Sequence, residues 1–267
     1  MTHIYNWKRQ KPDHRDFRMR HLNTVRRLAT VLPPVVNLRK WCSEVQDQGQ
    51  LGSCTANAWA GMLQFNENKY PLAGHAPYFN MSRLFIYYNE RVLGDTVNED
   101  AGAELRDGVQ VIHASGSCAE YDWPYNPSQF AVKPTPACYK VALPNAIHSY
   151  YALDGATPAM TLLNLKTTLA SGQPFVLGFN VYESFQSQAV ANTGIMPMPN
   201  TESEQLLGGH AVMAVGYNDS EKRFLIRNSW GTDWGLKGIN AGYFTMPYAY
   251  ISDPTQVSDF WTIVKDI

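Results

Sequence analysis

Gln48-Gly49-Gln50-Leu51-Gly52-Ser53-Cys54-Thr55-Ala56-Asn57-Ala58-Trp59 is the stretch from which the rest of this 267-residue chain is read. It sets a cysteine behind a turn of small residues and at the head of a helical pattern. In that pattern Ala58, Trp59, Met62 and Leu63 recur at helical spacing. The first N–H groups of a helix have no intrahelical partner, and the helix dipole is positive there, so the position favours a thiolate. Gln48, six residues earlier, brings a side-chain amide within reach of the same point. The question for the remaining sequence is whether it supplies a base for this thiol.

Working outward, residues 82–92 and 104–114 read as two further helices, stopped by Gly94 and by Ser115-Gly116. Residues 117–145 form an irregular, proline-punctuated link. After a helical stretch over 161–170, strand patterns take over at 175–181, 211–217, 224–228, 242–246 and 260–264. Helices first and strands later predict an α+β protein with two unlike halves and a cleft between them. The boundaries fall at 1–33 for an N-terminal segment, 34–143 for the helical half and 144–267 for the β-rich half.

Hydrophobic residues make up 45% of the chain, enough to fill a core. The net charge of −1 argues against nucleic-acid or membrane-surface binding, but it is unevenly spread. Residues 1–40 carry ten Lys/Arg against two Asp/Glu, a balance of +8; the other 12 basic and 21 acidic residues leave −9 for 41–267. The N-terminal segment therefore reads either as a basic strap on an acidic body or as a solvated tail. Trp7 and Phe17 are its expected anchors, and residues 32–36 its hinge. No apolar run approaches the ~18 residues of a membrane span, and the polar start shows no secretory signal. Of the four cysteines, Cys118 and Cys138 flank the loop around Trp123-Pro124 and could pair. No Cys-x2-Cys or His-x3-His spacing points to zinc, so neither metal nor cofactor is expected.

Seven histidines are available. His3, His14 and His21 lie in the basic segment, His75 in a loop, His113 near a helix end and His148 in a link. His210 differs, because it follows Gly208-Gly209 and opens an apolar strand, so rigid backbone carries it while glycines allow close approach. Asn228, at the end of the next strand, can accept from one imidazole nitrogen and turn the other toward the thiol. Trp230, two residues on, can shield that bond from water.

Cys, His and Asn in this order and context resemble the papain-type (family C1) cysteine peptidases. The papain cysteine signature is C-G-[SA]-C-[WY], with His and Asn ~130–150 residues downstream. Here Gly52-Ser53-Cys54 matches its core, His210 and Asn228 follow by 156 and 174 positions, and Gln48 stands where the family has its oxyanion glutamine. Asn228-Ser229-Trp230-Gly231-Thr232-Asp233-Trp234-Gly235, followed by Gly242-Tyr243-Phe244, is very similar to the family's segment after its histidine. The opening and Asp47–Cys54 look like a microbial branch. The resemblance spans roughly residues 34–263.

The resemblance implies a papain-like fold, with a helical left half, an antiparallel β-barrel-like right half and the active site between them. It implies a cysteine endopeptidase acting on polypeptides through a Cys54–His210 thiolate–imidazolium pair, with Asn228 orienting the imidazole and Gln48 in the oxyanion hole. Gly102 would be the glycine whose backbone pairs with substrate. Residues 1–33 would be either a propeptide-like segment crossing the cleft or a permanent part of the fold. A monomer, and a secreted or periplasmic home, follow from the same likeness. Two departures stand out: Leu51 replaces a cysteine that is disulfide-bonded in most relatives, and Thr55 replaces an aromatic. Two alternative functions use the same residues, a transamidase or ligase whose acyl-enzyme is captured by an amine, and a catalytically silent binding protein.

Overall fold

A computed structural model describes residues 4–18, 32–71 and 79–264. The hinge expected at 32–36 is pinned instead. β1 (Val35–Asn37) joins the main sheet, Tyr217 donates its hydroxyl to the Pro33 carbonyl at 2.6 Å, and Asp219 N–H donates to Pro34 at 2.9 Å. The helices of the first half follow as α1 (Cys54–Lys69), α2 (Arg83–Leu93), α3 (Leu105–Ser115) and the short α4 (Pro136–Ala142). The second half contains β2 (Ser149–Ala152), α5 (Pro158–Ala170), β3 (Phe175–Tyr182), α6 (Gln188–Thr193), β4 (Leu206–Asn218), β5 (Arg223–Arg227), β6 (Tyr243–Pro247), α7 (Tyr248–Ile251) and β7 (Val257–Val264). The architecture is α+β, with the helices leading and an antiparallel sheet following.

The sheet is not a closed barrel. Its strands run β2-β7-β3-β4-β5-β6, and β1 branches from β4. The branch explains how β4 serves both regions: β3 pairs with it from Leu206 to Ala214, and β1 takes over at Gly216–Asn218. β4 is buried on both faces, which is why it reads as an unbroken apolar run. Ala211, Met213 and Val215 share a core with α1, while Val212, Ala214 and Tyr217 belong to a second core. β1 lies ahead of the helices in the chain and yet pairs with a strand that follows them.

α1 is buried almost all round, as expected of a helix wedged between α2, α3 and β4. Three of its buried amides donate to backbone carbonyls: Asn57 Nδ2 to Ser53 O at 2.9 Å, Asn66 Nδ2 to Met62 O at 3.1 Å and Asn68 Nδ2 to Trp41 O at 2.9 Å. The link 117–145 is less irregular than its prolines imply, since Thr135 accepts from Cys138 N–H and starts α4. Among the described residues no helix is long and apolar enough to cross a membrane.

Candidate active site

Cys54 is the first residue of α1 and is fully buried. The helix has no side-chain N-cap, because the Ser53 hydroxyl is engaged with the Tyr125 hydroxyl at 2.6 Å. The first-turn N–H groups are therefore left to the active-site side. The Cys54 sulfur receives backbone N–H bonds from Ala211, Asn6 and Thr55. Ala211 is the neighbour of His210, so the head of α1 and the entry of β4 meet at this sulfur.

Pairing with β3 puts His210 opposite Phe179, and pairing with β5 puts Met213 opposite Arg227. Asn228, one residue past β5, is thereby brought within side-chain reach of His210. Its Oδ1 accepts from His210 Nε2 at 2.8 Å. An amide oxygen can only accept, so Nε2 carries the proton and Nδ1 is the basic nitrogen of the neutral ring. Trp230 stacks on the imidazole, with centroids 4.8 Å apart and 23° between the planes, and Phe179 meets it edge-on at 5.7 Å. Gln48 is fully buried and held from both ends: Nε2 donates to Leu51 O at 3.0 Å, and Oε1 accepts from Ser229 Oγ at 2.6 Å. One hydrogen of its amide nitrogen remains beyond the Leu51 bond.

Burial works against the expected thiolate. Burial pushes the Cys54 thiol up to about 12, the nearby Glu90 carboxylate adds to the rise, and the three N–H donors oppose it. Its cover is the N-terminal segment. Trp7 N–H donates to Gly209 O at 2.9 Å and Lys8 N–H donates to Ala103 O at 3.0 Å, so Asn6 and Trp7 bridge Gly209 on one half and Ala103 on the other. A Cβ on Gly102 would overlap the Asn6 carbonyl, and Gly102 has φ +69°. Gly102 N–H is spent on the Tyr87 hydroxyl at 3.1 Å, which leaves the backbone pairing on this wall to the Ala103 carbonyl.

Trp7 is the buried anchor of this segment; Phe17 is 65% exposed and anchors little. The indole fills the space left by Gly178 and Gly209, where any Cβ would collide with it. Its Nε1 donates to Asp259 Oδ2 at 3.1 Å, and Gln10 N–H donates to the same oxygen at 3.0 Å. Asp259 sits at φ +61°, and burial pushes its carboxyl up to about 7. Charges meet across this contact in both senses: Asp16 of the segment pairs with Arg106 at 2.7 Å, while Lys8 and Lys11 lie close enough to Glu104, and Arg9 and Arg18 to Asp154, to favour the ionised carboxylates.

Sequence reasoning missed Asp259, Ser229 and Glu90. Glu90 is fully buried and accepts from Thr55 Oγ1 at 2.8 Å, and burial raises it to about 8. Thr55, where relatives carry an aromatic, was the available signal for a polar partner behind the nucleophile. Of the histidines set aside, His113 bonds the Ile147 carbonyl at 2.8 Å, and His3, His21 and His75 lie outside the described residues.

A family model described as papain family cysteine protease matches residues 32–250. The chain belongs to the papain family of cysteine proteases. It is 42% identical to an uncharacterised peptidase C1-like protein of Acanthamoeba polyphaga mimivirus, over 97% of this chain and 86% of that protein. It is 39% identical to xylellain, a cysteine protease from Xylella fastidiosa, with a TM-score of 0.86 over 98% of this chain and 96% of that one. Cysteine proteinase 3 of Entamoeba histolytica is 29% identical over 84% of this chain, which spans 66% of that proteinase's length. This papain-family chain is thus a hydrolase of the cysteine-protease type.

Proposed function

We propose that this papain-family protein is an endopeptidase with Cys54 as nucleophile and His210 as its base. We propose also that residues 5–8 hold it closed. The observation that carries the reading is the meeting of the Cys54 sulfur with the His210–Ala211 backbone, beside an imidazole whose Nε2 is already committed to Asn228. His210 Nδ1 is then the nitrogen that takes the Cys54 proton. The thiolate attacks the peptide carbonyl, and the carbonyl electrons move onto oxygen. The N–H of Cys54 and the free hydrogen of Gln48 Nε2 receive that oxyanion, each such donor being worth roughly 10²–10³ in rate. His210 passes its proton to the leaving amine. A water, deprotonated by His210, then cleaves the thioester and releases the acid. Asn228 keeps the ring in register, and Trp230 keeps water from the His210–Asn228 bond.

The N-terminal segment occupies the space a substrate backbone needs, and it buries the thiol that must ionise. Its departure rehydrates Cys54 and lets the His210 imidazole take the proton. An epoxysuccinyl probe tests the whole reading. Mass analysis should find the adduct on Cys54 after the segment is displaced or cut, and none in Cys54→Ala or His210→Ala. No adduct in a chain whose segment has been removed would overturn the assignment. Adding an amine nucleophile to the peptide assay separates hydrolysis from transfer.

A further inference from the structure

Twenty positions separate Cys118 and Cys138, yet their side chains meet in a small core of their own with Phe85 and Ala142. Both thiols are buried, at 0% and 4% exposure, and they are in hydrogen-bonding contact with each other. The chain between them is largely without regular structure. One end is stitched to the entry of α2: Ser82 N–H donates to Cys118 O at 2.9 Å and Glu120 N–H donates to Asn80 O at 2.7 Å. The other end is the first turn of α4, where the Cys138 sulfur lies 3.2 Å from Thr135 Oγ1.

What this loop carries matters more than its length. Tyr125 projects from it and donates its hydroxyl to Gln48 O at 2.8 Å, while the same oxygen meets Ser53 Oγ at 2.6 Å. The Arg83 guanidinium lies 3.8 Å over the Tyr125 ring and pairs with Glu120 at 2.7 Å. The loop is therefore a brace on the two residues that flank the Gln48–Cys54 turn. No disulfide holds that turn among the described residues, so the brace depends on how firmly the loop itself is closed.

We propose that Cys118 and Cys138 are a modification site, closed to a disulfide by exchange with a small-molecule or protein disulfide, and that this bond fixes the Tyr125 brace. One cysteine, as thiolate, attacks the external disulfide and expels the first thiol. The other then attacks the mixed disulfide and expels the second. The two protein sulfurs lose two electrons and two protons, and the external disulfide gains both as two thiols. Burial holds the Cys118 thiol up at about 12, so exchange proceeds before this core packs or through its local opening, and the closed bond is shielded afterwards. Cys54 and Cys42 have no thiol facing them among the described contacts and stay reduced. The link to catalysis rests on the roles given to Gln48 and Cys54, whereas bond formation does not.

The full chain is unfolded and reduced, refolded in a mixture of reduced and oxidised glutathione, then quenched in acid, denatured and alkylated. The expected product is 2 Da lighter than the reduced chain, takes up two alkyl groups, and yields a Cys118–Cys138 peptide pair on non-reducing digestion. Closing a loop of about twenty residues should raise Tm by roughly 6–12 °C. Reductant should remove that gain in wild type and have no such effect in Cys118→Ala/Cys138→Ala. Four alkylated cysteines, or a bond to Cys42 or Cys54 instead, would overturn the proposal, and the wild-type mass alone decides this if the variant fails to fold. A bond that forms while epoxysuccinyl labelling of Cys54 fails would keep this inference and sink only the catalytic reading.

Discussion

Replacing Trp7 with alanine separates the segment's grip on the cleft from the chemistry beneath it. The indole is 7% exposed, packed where Gly178 and Gly209 have no side chains, and hydrogen-bonded to Asp259. Truncating a buried tryptophan costs about 3–5 kcal/mol. That cost falls on the closed state, because in the open state Trp7 is in water whichever residue it is. The closed-to-open ratio should therefore drop by roughly 10²–10⁴-fold, since about 1.4 kcal/mol corresponds to a factor of ten. The assay is the second-order rate of epoxysuccinyl labelling at Cys54, with mass analysis confirming an intact N-terminus. Labelling should accelerate with the open fraction until the chain is mostly open. Gly178→Val offers an independent route, since it fills the indole's place from the strand side and suits a β-strand; it should accelerate labelling in the same direction. If intact wild type, Trp7→Ala and Gly178→Val all label at one rate, the segment does not gate the site, and the reasoning fails.

Other expected outcomes follow from the same geometry. Asn228→Ala should lower kcat/KM about 10–100-fold, the worth of a hydrogen bond of roughly 1.5–3 kcal/mol to a group that becomes charged; an unchanged kcat/KM would remove Asn228 from the mechanism. Gln48→Ala should cut kcat by about 10²–10³ with little change in KM, measured on a segment-free enzyme; a loss confined to KM would exclude an oxyanion role. Glu90 is a carboxyl whose folded value, about 8, lies above its usual 4.5, so its contribution to stability is complete below pH 4.5 and is lost as pH rises through 8. The upper bound on that loss is about 5 kcal/mol at pH 8, from about 1.4 kcal/mol per pH unit. Thermal melts of wild type and Glu90→Gln should diverge from pH 5 to pH 8 in favour of the glutamine, and parallel curves would refute it.

Much of the site was legible because catalytic cysteine chemistry constrains neighbours in sequence. Gly52-Ser53-Cys54 fixes a thiol at a helix start, Gly209-His210 a histidine at a strand, and Asn228-Ser229-Trp230 an acceptor with a shield, each within a few residues. Helix and strand periods likewise gave α1, α2, α3, β3, β5 and β6 to within a residue or two. β4 began earlier than its apolar run, at Leu206, because Gly208 and Gly209 pair with β3 through backbone groups that leave no apolar signature. β2, α6 and α7 were too short for a period to register.

By itself, the sequence determined the α+β order, the family and the residues brought to the cleft, since local patterns and short motifs carry that information. Tertiary structure alone decided whether the sheet closed, because strand partners are chosen by contacts far apart in the chain; β2 and β6 end the strand order without pairing with each other, which leaves it open. It also decided how deeply Cys54 is buried. A thiol at a helix start favours ionisation, but the segment around Asn6 and Trp7 dries the site, and loss of solvent outweighs three N–H donors. Trp7 and Asp259 stand 252 residues apart, and no local pattern announces that one is the key and the other the catch.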